Sequence, residues 1–280
     1  MSATNILRQA WQQIWRKPGS LVLAFWYLFI IFLFQLLVVK GLGSGFETWL
    51  KAFSPAKMST MAQFPPLPHG LLPKLILVYL TMFLIIFPFV IGALYGGVAD
   101  GLKGQQTLAG LFTFFRYGLR NFWESLGTMV GIFIGSGIAV AVMLLLNLLF
   151  SLLAHNGGVI GLIGNVIVTI LTLVIIFYWM SIVLYWLGAV FYGKQPVFRG
   201  FREAVSWVSR HLGESIRLML LNALLVIVAT LFFGLFSLVP IIGEFFALVL
   251  YALVIALIAT ESALFYRDSS RGGAPPFYRV

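Results

Sequence analysis

The chain has no cysteine, only 8 acidic residues among 280, and 9% charged residues in all. Without cysteine there is no disulfide, no thiolate metal site and no cysteine nucleophile, and the redox compartment is left open. Its 3 histidines, His69, His155 and His211, show no HExxH or paired spacing, so no metal site is expected. His155 reads as a turn residue and His211 as a headgroup-facing one. No GxxxxGK[ST] loop, no GxGxxG after a strand and no GxSxG elbow occurs, which removes the phosphate-loop, dinucleotide and nucleophile-elbow classes. No enzyme motif is left, and no cofactor is expected.

What the chain does have is apolar length. The hydrophobic fraction is 61% and the aromatic fraction 16%, with a mean hydropathy of +1.03. A soluble domain is about 45–50% apolar and about 25% charged, so an integral membrane protein is the class that fits. The net charge of +10 raises the question of nucleic acid. Here the basic residues flank apolar runs instead of forming a domain, which points to an anionic membrane surface and away from nucleic acid.

Six apolar runs are each long enough to cross a hydrocarbon core of roughly 30 Å: 21–39, 71–98, 126–153, 159–191, 216–239 and 245–266. The first, behind a basic flank, is too long for a signal-peptide core and reads as an uncleaved first helix. Pro88 should kink the second run, because proline has no N–H for the helical bond. Residues 40–70 read as a polar loop with a short helix near 46–53, 155–158 as a tight turn, and Pro240 to Gly243 as another turn.

Three basic segments precede pairs of runs. Residues 2–17 place Ile6, Ala10 and Ile14 on one helical face, with Ser2 or Thr4 as a cap. Residues 99–125 and 193–217 align without a gap, Arg120 meeting Arg210 and Glu124 meeting Glu214, and Arg16 takes the same place in the first segment. The reading is an all-α, polytopic membrane protein of six transmembrane helices in three hairpins, each preceded by an amphipathic interfacial helix. Its repeats are about 2–98, 99–191 and 192–266, with a disordered cytoplasmic tail at 267–280. The hairpins could surround a pseudo-threefold axis.

Orientation follows from charge. Fourteen of the 18 basic residues fall at the N-terminus, in 99–125, in 192–217 or in the tail; Lys40, Lys51, Lys57 and Lys74 make up the other side. The positive-inside rule then puts both termini in the cytoplasm.

The residues 193–207, Gly-Lys-Gln-Pro-Val-Phe-Arg-Gly-Phe-Arg-Glu-Ala-Val-Ser-Trp, resemble a segment of a loose group of bacterial six-span proteins. That group includes the membrane domain attached to glycerophosphodiester phosphodiesterases and related stand-alone families of uncharacterised function. The resemblance implies the architecture and a bacterial cytoplasmic membrane. The soluble catalytic barrel of those enzymes has no counterpart here, so the resemblance carries no activity and no catalytic residue.

Three sets of residues are candidates for a role. Arg116, Arg120, Arg199, Arg202, Arg210 and Arg217 should lie at headgroup level and bind lipid, anionic lipid above all. Phe112, Phe115, Leu119, Trp123, Phe198, Phe201, Val205 and Val208 should face lipid or the bundle. Glu124 and Glu214 would pair with Arg120 and Arg210 four residues earlier. Asn147, Asn165, Asn222 and Glu261 are polar groups inside apolar runs: either interhelical hydrogen bonds and a structural ion pair, or the lining of a polar cavity. Gly92 and Gly96, and Gly127, Gly131 and Gly135, repeat at four-residue spacing and should let helices approach closely.

Two functions compete. One is a non-enzymatic protein that organises or senses the membrane or scaffolds a protein partner or a second copy. The other is a small transporter or channel with a polar site between helices. A lipid-headgroup enzyme would need clustered acids or histidines that are absent from the chain.

Overall fold

The computed structural model of the chain describes residues 2–42, 70–104, 110–153, 159–236 and 242–272, and among them every regular element is a helix. Six helical stretches are long and apolar enough to span a membrane. The expected loop helix at 46–53, the turn at 155–158 and the turn at Pro240 lie outside the described residues.

The elements run α1 (Ala3–Arg16), α2 (Gly19–Leu42), α3 (Leu71–Thr81), a π-helical turn (Met82–Ile86), α4 (Phe87–Leu102), α5 (Leu111–Arg120), α6 (Phe122–Leu153), α7 (Val159–Leu187), a second π turn (Gly188–Tyr192), α8 (Val197–Arg210), α9 (Leu212–Phe236) and α10 (Ile242–Gly272). The first π turn has a local cause. Pro88 offers no N–H to the carbonyl four residues before it, and the backbone widens in the turn immediately upstream. At the start of α1 the Ser2 hydroxyl contacts the Thr4 hydroxyl at 2.5 Å and does not bond a backbone N–H as a cap would.

The packing order is cyclic. The long helices pair as α2 with α4, α6 with α7 and α9 with α10; each second member then packs on the next pair, α4 on α6, α7 on α9 and α10 on α2. The three second members, α4, α7 and α10, also meet one another, partly through the second π turn. Each short helix rests on the second member of the pair before it: α5 on α4, α8 on α7, and α1 on α10, which closes the ring. The outer helices carry mostly apolar exposed surface, such as Phe133, Ile138, Leu144 and Leu148 on α6. Lipid is as apolar as these side chains, so association rests on close packing and interhelical hydrogen bonds.

α10 is the centre. Ala252, Ala256, Leu257, Ala259, Leu264 and Phe265 are all buried on it. Its helix also corrects the tail. It continues to Gly272, and Ser269 is buried, so 267–272 is helix and not the disordered start of 267–280; residues 273–280 lie outside the described ones. Ser269 donates to the Tyr185 hydroxyl at 3.1 Å, and Arg267 donates from Nη2 to the Gln9 side-chain oxygen at 2.9 Å. Those bonds give the polar run neighbours on α7 and α1, which its composition does not show.

Candidate functional site: the basic end and a buried carboxyl

Hydrogen bonds bring the starts of α2, α6 and α9 and the ends of α4, α7 and α10 to one end of the bundle. The Lys17 ammonium donates to the Gly101 carbonyl at 3.1 Å, and that of Lys103 to the Tyr192 carbonyl at 2.6 Å. Each lysine thus satisfies a carbonyl at a helix C-terminus, where the helix dipole also favours a cation. The Ala3 N–H donates to Glu214 Oε2 at 3.1 Å, tying α1 to the start of α9.

At this end lies a polar cluster. Arg120 Nη2 meets Asp100 Oδ2 at 2.5 Å, and Asp100 is buried. The Asn121 amide donates to the carbonyls of Tyr117 (2.9 Å) and Gly92 (3.3 Å), and its oxygen accepts from Lys194 Nζ at 3.5 Å. Lys194 has φ +54°, the left-handed conformation, and burial pulls its amine below the ordinary value. Burial likewise pushes Tyr117 up. On α8, Glu203 accepts from the Tyr185 hydroxyl at 3.3 Å, and burial raises its carboxyl above the ordinary 4.5.

The expected pairs Arg120–Glu124 and Arg210–Glu214 do not form. α5 ends at Arg120 and α6 begins at Phe122, with Asn121 between them at φ −106°, ψ 16°; α8 ends at Arg210 and α9 begins at Leu212, with His211 at φ −122°, ψ 39°. The four-residue neighbour relation holds only along one continuous helix. Arg120 therefore turns to Asp100, and Glu214 takes Arg217 at 3.2 Å.

Arg116, Arg120, Arg199, Arg202, Arg210 and Arg217 are all exposed. Around them stand exposed apolar side chains: Phe112 at 92%, Phe198 at 89%, Trp123 at 76%, and Phe115, Leu119, Trp11 and Trp15. Phe201 and Val205 are half-buried and Val208 is buried.

The glycines meet side chains from other helices. A Cβ at Gly92 or Gly96 would run into Asn121, one at Gly127 would stand 3.3 Å from Val197, and those at Gly131 and Gly135 would enter the rings of Trp186 and Trp179. Both rings are fixed. Trp186 Nε1 donates to the Val197 carbonyl at 2.7 Å and Trp179 Nε1 to Ser136 Oγ at 2.9 Å.

The four polar residues that could have lined one cavity separate. Asn147 is exposed and donates back to Met143 O of its own helix at 2.8 Å, and Asn165 is exposed with its backbone oxygen held by Thr169. Asn222 and Glu261 come together in the interior, the amide beside the carboxyl. Glu261 makes no ion pair there: its carboxyl oxygens and Asn222 Oδ1 have no hydrogen-bond partner. A cavity of about 20 Å³ between Lys17, Ser20, Gly101 and Thr260 touches none of the four.

Asp100, Asn121, Lys194 and Tyr185 stand at the basic end, and the sequence does not assign them to a site. Of these Asn121 stands next to an aligned position, directly after Arg120, but nothing in the sequence marks a bend there. Comparison with known proteins offers nothing to set beside this site, since no family model, no curated protein and no solved structure matches the chain.

Proposed function

We propose that the chain is a non-enzymatic membrane protein that gathers anionic lipid around its basic end, at the cytoplasmic face. The observation that carries this reading is the set of exposed arginines interspersed with exposed aromatic side chains on α5 and α8, continued by Trp123 at the start of α6 and Arg217 at the start of α9. Aromatic rings favour the water–lipid boundary, and each basic residue near an anionic surface is worth about 1 kcal/mol. Lipid, and not a protein partner or a second copy, is the occupant such a chemistry selects.

The short helices are read as amphipathic struts of a threefold internal repeat. Three observations support this. The breaks at Asn121 and His211 and the left-handed residues Gly104 and Lys194 fall at aligned positions. The buried positions Ala10, Phe114 and Ala204 coincide, as do Ile14, Gly118 and Val208. The cyclic packing order is the one three like units would give. Both ends of the described chain share the basic end, which the charge rule assigns to the cytoplasm. A reporter active only in the cytoplasm should work when fused after Val280 and fail when inserted at Pro66; activity at both points would overturn the orientation.

The test of function is Arg199, Arg202 and Arg210 changed together to glutamine, which keeps helix propensity and removes charge. Insertion should survive, because the apolar spans carry it. Co-purified anionic lipid should fall, as it should for the unchanged chain in high salt, and what remains should depend less on salt. Unchanged lipid content at matched protein yield would leave the helices as structural struts.

A second reading, a small proton- or ion-coupled transporter, rests on the buried pair Asn222 and Glu261.

A further inference from the structure

Glu261 is the fully buried carboxyl of the centre, at 0% exposure, and Asn222 is 6% exposed. Glu261 lies six residues before Arg267 and Asn222 five residues after Arg217, the charged residues that bound their apolar stretches. At 1.5 Å per residue both sit about 8 Å inside the basic end, within a core of roughly 30 Å and nearer its basic side. The groups around the carboxyl are few. From α9 comes Asn222, and from α4 comes Tyr95, with Tyr27 of α2 behind it. Neither α1 nor α7, the other helices packed on α10, brings a charged group to act on it.

The hydrogen-bond count at this place does not close. Three oxygens, two on Glu261 and one on Asn222, have no donor at full hydrogen-bond geometry, although the Asn222 amide N–H stands beside the carboxyl. Buried polar groups in hydrocarbon are satisfied almost without exception, and an ionised carboxylate with no cation is the costliest exception of all. One added proton supplies the missing donor. A neutral carboxyl can donate its O–H to Asn222 Oδ1, which removes the charge and partners two of the three oxygens.

We propose that Glu261 and Asn222 form a proton-binding site buried within the bundle, in which the protonated carboxyl donates to Asn222 and clasps α9 to α10. The proton is taken from water and returned to it, and no other group changes. Releasing it leaves a bare carboxylate between packed helices, so release requires the two helices to part enough to admit water. Proton occupancy and the packing of α9 on α10 are thereby one equilibrium. The inference rests on the site of the second reading above, without requiring that anything be carried.

The experiment is infrared spectroscopy of the full chain in lipid nanodiscs at neutral pH, as wild type minus Glu261→Gln. The expected difference is a carboxylic-acid C=O stretch that shifts in heavy water and moves to higher frequency in Asn222→Leu, where its hydrogen bond is lost. Should Asn222→Leu not fold, Asn222→Ser reads the same displacement. Glu261→Gln should melt close to wild type, since its amide N–H can donate to Asn222 Oδ1, whereas Glu261→Leu should melt lower. Three results would overturn the proposal: no acid band that Glu261→Gln removes, meaning an ionised carboxylate held by the amide N–H; a band unmoved by either Asn222 variant; or a band abolished when sodium replaces choline, meaning a metal-cation site. A flux assay on the same variants reads the transporter idea separately, and a null flux leaves the proton site standing.

Discussion

Gly188→Ala should unfold the bundle at a markedly lower temperature, although it adds a single methyl group. Gly188 opens the second π turn, where the inner helix α7 passes α10. A Cβ there would meet the backbone carbonyl of Ser262, with Tyr266 Cβ also at 2.9 Å. Backbone on both sides cannot turn aside as a side-chain tip can. The contact is also held shut, because Ser262 Oγ donates to the Leu184 carbonyl at 2.7 Å across the same two helices. Overpacking of this kind costs about 1–3 kcal/mol. The control is Gly137→Ala on α6, where a Cβ meets nothing within 4 Å. There the same methyl should be neutral or stabilising, since alanine exceeds glycine in helix propensity by about 1 kcal/mol. Melting in detergent, followed by the surviving monodisperse peak, separates the two. Equal melting temperatures would mean that α7 and α10 do not approach this closely.

Gly131→Leu should be at least as damaging, and far worse than Ile132→Leu beside it. Gly131 faces the Trp186 ring. That ring is 3% exposed, bonded through Nε1 to Val197 O, and packed on Phe201 with centroids 4.9 Å apart. A leucine at 131 must expel it, which loosens both the α6–α7 contact and the seat of α8. The expected loss is about 3 kcal/mol, the upper end for overpacking, against less than about 1.5 kcal/mol for the isomeric exchange at Ile132. The indole gives a second readout, because a displaced Trp186 changes its fluorescence. If both variants melt alike and emit alike, the glycine face is not a packing surface.

The two glycines differ in how far the sequence announces them. Gly131 belongs to a series at four-residue spacing, and such a series places small residues on one helical face wherever it occurs. Gly188 belongs to no series. Its importance comes from a neighbour 74 residues further along the chain, Ser262, which the sequence does not connect to it. The asparagines make the same point. Asn147, Asn165 and Asn222 look alike in their apolar runs, yet two are exposed at the surface, Asn147 bonding back to its own helix, and one meets Glu261 inside. What separates them is whether another helix stands behind the position, and that is a property of the packing alone.

The sequence by itself determined the class and the count: an all-helical chain with six apolar lengths sufficient for a bilayer, and basic residues gathered between them at one end. These are one-dimensional quantities, since length, hydropathy and charge act residue by residue against a flat solvent boundary. The tertiary structure decided which helix is central, which carboxylate Arg120 and Arg217 take, that the last helix runs on past Tyr266, and which polar groups meet. The bends at Asn121 and His211 show why. A rotation of a few tens of degrees in two backbone angles carries Glu124 and Glu214 off the faces that Arg120 and Arg210 occupy, and nothing in the spacing of those residues records it. Within hydrocarbon no hydrophobic gradient ranks one apolar face above another, so partners are chosen by shape and by the few hydrogen bonds available, both of which exist only once the helices are side by side.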